Sequence, residues 1–83
     1  MYRSLERIRA IAEAVALEVH DRLEITGVTA GRGHAEIVAV HRDPDAGAHV
    51  IVIGVDRGLT ESAMREQIST QLRRGIRAGV LHG

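Results

Sequence analysis

At 83 residues the chain is long enough for one domain and too short for two, and a domain of that size buries only about 60 to 65% of the surface its unfolded chain exposes. Its 11 basic residues, all arginine, balance 11 acidic ones, which excludes the strong global field that would draw it to nucleic acid or an anionic membrane. The absence of cysteine excludes disulfides, thiol nucleophiles and thiolate metal sites together.

Tyr2 is the only large aromatic residue, so the core must come from Ile, Val, Leu, Met and Ala, which bury less area each than Phe or Trp. A thin core of this kind is often supplemented by oligomerisation. Residues 1 to 23 are interleaved with charges and do not read as a signal peptide, and no apolar run approaches the roughly 20 residues that span a bilayer. The expectation is a soluble, cytoplasmic protein with no membrane partner.

From Ser4 onward, Leu5, Ile8, Ala12, Val15, Val19 and Leu23 recur at spacings of three and four, with Ile11 and Ala16 widening the stripe. This is the period of an amphipathic helix reaching about His20 or Leu23, and Ser4 is placed to cap its N-terminus. The stretch Glu24, Ile25, Thr26, Gly27, Val28, Thr29, Ala30 then loses the helical period and gains β-branched residues, predicting a strand with a bulge or close approach at Gly27. Gly31, Arg32 and Gly33 follow as a turn.

The next two strands form the clearest local prediction. Residues 34–42 and 48–56 are rich in Val and Ile and flank Asp43, Pro44, Asp45, Ala46 and Gly47, a run of turn formers. If all five form the connection, Arg42 faces Ala48, His41 faces His49, Ala39 faces Ile51, Ile37 faces Ile53 and Ala35 faces Val55. Val38 with Val52 and Val40 with Val50 then lie on the opposite face.

Thr60 reads as the N-cap of a second helix, with Glu61 in its first turn and Leu59 placed to staple against Met64. Met64, Ile68, Leu72 and Ile76 form its apolar stripe. Gly75 weakens its interior, Gly79 is a natural stop, and residues 80–83 read as a short tail.

The predicted fold is α+β over residues 1–83 as one domain: α-β-β-β-α, a three-stranded antiparallel meander with both helices packed on one face. Two helices cover only one face. The other retains Val38, Val40, Val50 and Val52, where a one-sided antiparallel sheet should carry polar residues. Strand propensity alone accounts for scattered valines, but a clustered apolar patch of this kind marks an interface. A homodimer, joined face to face or edge to edge, covers it and supplies the missing core.

Three chemistries remain to be weighed. His41 and His49, opposed beside Asp43 and Asp45, form a candidate weak metal site and a pair whose protonation near pH 6.5 would bring like charges together. His20, His34 and His82 have no evident partner. The glycines of the 31–33 turn lead into a strand rather than a helix, so they do not form a phosphate-binding loop. Arg65, Arg73, Arg74 and Arg77 make a basic zone on the second helix. The element order resembles that of double-stranded RNA-binding domains, and its later part runs in the order seen in ribosome-hibernation factors. The resemblance implies RNA or ribosome association through those arginines, although Glu61, Ser62, Ala63, Met64, Arg65 and Glu66 stand where the RNA-binding family carries a lysine cluster.

No nucleophile elbow or carboxylate pair of catalytic character is present, and no cofactor motif is found. The expected function is therefore a small self-associating interaction domain without catalytic activity or cofactor. RNA or ribosome association and weak metal binding are the alternatives.

Overall fold

A computed structural model describes residues 2–45 and 47–82, with side chains through residue 78. Its elements run α1 (Leu5–Val19), β1 (Leu23–Ala30), β2 (His34–Asp43), β3 (Gly47–Asp56) and α2 (Glu61–His82). The three strands form one antiparallel sheet in the order β1-β2-β3, an α+β fold with the predicted element order.

Helix α1 starts where its sequence dictates. The Ser4 hydroxyl accepts from the Arg7 amide at 3.2 Å, satisfying one of the amides that a helix start leaves without a partner. Ile8, Ile11, Ala12, Val15 and Ala16 are buried as one stripe. The helix stops at Val19, so Leu23 joins the core from β1 instead.

The hairpin β2–β3 has the expected register, with Arg42 opposite Ala48 and His41 opposite His49. The ladder extends one step further, to Asp43 opposite Gly47, so the connection is shorter than five residues. Ala46 of that turn lies outside the described residues. Gly47 adopts φ of 84° and Gly33 φ of 71°, left-handed conformations that favour glycine.

Strand β1 pairs with β2 in two segments. Leu23, Glu24 and Ile25 face His41, Val40 and Ala39; after a register shift, Gly27, Val28, Thr29 and Ala30 face Val38, Ile37, Glu36 and Ala35. Thr26 is the extra residue of the bulge, and its hydroxyl donates to the Val38 carbonyl at 3.2 Å. The shift reverses the strand's alternation: Leu23 and Ile25 point to the helices before it and Val28 after it.

Both helices cover the same face, α1 over β1 and α2 over β3, and they touch each other above β2. Ala35, Ile37 and Ala39 of β2 are completely buried beneath them; the two alanines leave room for the helices to approach. Met64, Ile68 and Leu72 of α2 complete the core, and Leu59 and Ile76 pack at its margin.

Helix α2 begins at the predicted cap, where the Thr60 hydroxyl accepts from the Ala63 amide at 3.2 Å. It does not end at Gly79, and residues 80–82 are helical rather than a tail. A glycine inside a helix costs only about 1 kcal/mol relative to Ala. With no proline after it, nothing local compels a stop. Gly83 lies outside the described residues.

The segment before α1 is held to the β3–α2 connection. Arg3 donates to the Leu59 carbonyl at 3.1 Å, and the Arg57 guanidinium donates to the Arg3 carbonyl at 3.2 and 2.8 Å. Arg57 also stands 5.8 Å from the Tyr2 ring centroid, within cation–π range.

Candidate functional site

Two features distinguish the sheet: the uncovered face of β2 and β3, and the end where the histidines meet. On the uncovered face, the bulge and the hairpin register set Glu24 beside Val40 and Val50, Gly27 beside Val38 and Val52, and Thr29 beside Glu36 and Gly54. The valines therefore form a square on β2 and β3. Val50 is 67% exposed and Val52 56%, whereas Val38 and Val40 are half-buried. Glu24 and Arg42 pair at 3.5 Å along one border, and Glu36 marks the other. Gly27 and Gly54 present no side chain, and a Cβ at either would meet nothing within 4 Å.

The two edges of the sheet differ. On β1 the Arg9 guanidinium donates to the Ile25 carbonyl at 3.4 Å, and the bulge interrupts the edge, a common protection against strand pairing. On β3 there is no bulge. At one point only, among the described residues, does a side chain close that edge: Gln71 of α2 donates to the Gly54 carbonyl at 2.7 Å and accepts from the Gly54 amide at 3.3 Å. Nothing in the sequence singles out Gln71 from the other polar residues of α2; the contact arises from where the helix lies.

At the other end of the sheet, His41 points inward and is only 5% exposed. Its ring stands edge-on to that of His20, with centroids 4.6 Å apart. His20 thus has a partner after all, because the end of α1 is brought over the end of β2, a tertiary placement that no local pattern reveals. The His20 Nδ1 accepts from the Arg22 amide at 3.0 Å. His41 Nε2 is buried without a hydrogen-bond partner. Burial holds the His41 imidazole below its usual value, His20 pushes it the same way, Asp43 opposes them, and His49 and Arg22 add smaller depressions. His34 bonds within its own turn, its Nδ1 lying 3.1 Å from the Arg32 carbonyl. The His82 side chain lies outside the described residues.

For metal binding, His41 and His49 do face each other, but among the described residues no group of three or more His, Cys, Asp or Glu is arranged to hold a metal ion. The four arginines are dispersed around α2. Arg65 bonds Glu18 of α1 at 2.8 Å, Arg73 bonds Ser69 at 3.2 Å, and Arg73 and Arg77 border a cleft with Val19 and His20. Arg74 lies instead beside Gln67, Thr70 and Gln71 on the flank next to β3. Among the described residues, no helix is long and apolar enough to cross a membrane. Compared with protein-family models, curated proteins and solved structures, the chain matches none of them.

Proposed function

We propose that this protein is a small self-associating interaction domain whose contact surface is the β3 side of the sheet, with no catalytic step of its own. The observation that carries this reading is the exposure of Val50 and Val52, 67% and 56%, on one face with Val38 and Val40. Single exposed apolar residues are ordinary, whereas a contiguous cluster on the side away from the helices is characteristic of an interface. The core offers a second reason for a partner, since its largest fully buried side chains are Ile, Met, Leu and Val. Without aromatic burial a domain this small has little stability to spare.

Sedimentation velocity from about 1 to about 100 µM tests the reading, because interfaces of ordinary size dissociate within or below that range. A dimer is expected for the wild type, dissociating on dilution where its Kd falls inside that range, and a folded monomer for Val52→Glu. A wild-type chain that stays monomeric throughout removes the proposal.

A further inference from the structure

The hydrogen-bonding phase of β3 restricts how two copies can meet. In an antiparallel pair, successive residues alternate between turning their amide and carbonyl toward the partner strand and away from it. Gly54 turns both away from β2, since both bond Gln71 instead. Ala48, Val50 and Val52 share its phase and direct their backbone groups to the same open edge. Bonds elsewhere agree with this phase: His34 of β2 accepts from Gly31 on the β1 side, and Arg42 donates to Arg22 on that side. Residues 35, 37, 39 and 41 are therefore left to face β3.

The open stretch is symmetric. Gln71 closes it at Gly54, and the turn bounds it before Ala48. Between these limits the outward groups sit at residues 48, 50 and 52, evenly spaced about Val50. We infer that a second copy of this chain adds to this edge as an antiparallel strand, with the two-fold axis at Val50. Val50 then pairs with its own copy and Ala48 with Val52 of the other. All the outward groups are satisfied at once, by about six hydrogen bonds.

Shifting the axis to Val52 would demand the groups of Gly54 that Gln71 already holds. The stretch also lacks the usual devices against such pairing, with no proline, lysine, bulge or charged side chain from 48 to 52. The joined sheet carries six strands and brings the two valine squares side by side. This inference rests on self-association and sets the contact at the β3 edge, where Val50 and Val52, the exposed pair of the four valines, come to lie beside Val50 and Ala48 of the copy.

A natural absence of cysteine makes the test clean. In a hydrogen-bonded antiparallel pair the Cα atoms lie about 5.5 Å apart, within disulfide reach. Val50→Cys is compared with Val38→Cys, a reporter of face-to-face stacking, in a glutathione redox buffer, alongside sedimentation of Val50→Pro. Proline at an outward-facing edge position removes the donated bond while sparing the ladder to β2.

The expected result is a wild-type dimer, cross-linking at least about tenfold faster at residue 50 than at residue 38, and a Val50→Pro dimer weakened by at least about tenfold. Equal or faster cross-linking at 38, or an undiminished Val50→Pro dimer, overturns the edge and leaves self-association standing. A wild-type monomer overturns both. If Val50→Pro fails to fold, the cysteine comparison decides alone.

Discussion

Gly75 of α2 lies so close to Ile51 of β3 that a Cβ on the glycine would stand 2.6 Å from Ile51 Cγ2 and 3.1 Å from Cδ1. A glycine that weakens a helix by about 1 kcal/mol relative to Ala is here the residue that lets the helix settle onto the edge strand. Gly75→Ala should therefore lower stability despite its better helix propensity, since overpacking typically costs about 1 to 3 kcal/mol. Urea denaturation measures the loss. In an Ile51→Ala background the same change should become neutral or stabilising, and a destabilisation of equal size there would refute the contact.

The buried His41 makes stability depend on pH. Its native pKa lies below the usual value near 6.5 because burial, aided by His20, disfavours the charged ring. The unfolded chain therefore binds more protons than the native one in the window between the native pKa and 6.5. Stability rises with pH through that window and levels off above it. Urea midpoints between about pH 5 and 7.5 should fall toward acid, and His41→Leu should flatten this dependence.

Gln71 should protect one amide from exchange. With Gln71→Ala, the Gly54 N–H loses its acceptor and exchanges faster with solvent deuterium, while the Ile53 amide, bonded within the β2–β3 ladder, keeps its protection. Unchanged exchange at Gly54 would show that the side chain does not close the edge.

The start of α2 depends on a hydroxyl. Thr60→Ala should cost about 1 kcal/mol and Thr60→Ser close to nothing, because only the oxygen that accepts from Ala63 matters. Thermal melts of the two variants separate cap loss from loss of side-chain packing.

The legible and illegible parts of the sequence divide by the range of the interaction. Ser4 and Thr60 act within one helical turn, and the valines 38, 40, 50 and 52 follow from period-two alternation and the hairpin connection, so local chemistry locates them all. The register also brings His41 to His49, but its burial and its contact with His20 depend on where α1 ends in space. Gln71 reaches Gly54 for the same kind of reason, and Gly75 reads as a weakness until Ile51 is seen beneath it. The continuation of α2 past Gly79 reflects a modest local penalty where the glycine resembled a terminator.

The bulge at Thr26 makes the molecule one-sided. Had β1 kept a single alternation through Thr26, Val28 would lie on the outer face opposite Glu36 and diagonal to Val38, and the exposed apolar surface would extend onto the third strand. The inserted residue turns Val28 inward and leaves Glu24, Gly27 and Thr29 in the outer row, so the valines of this face belong to β2 and β3 alone. Deleting Thr26 should leave Gly27 opposite Val38 and Val28 inward, since residues 23–25 and 27–30 then share one alternation, but it would remove the irregularity that interrupts the β1 edge and open that edge to strand pairing.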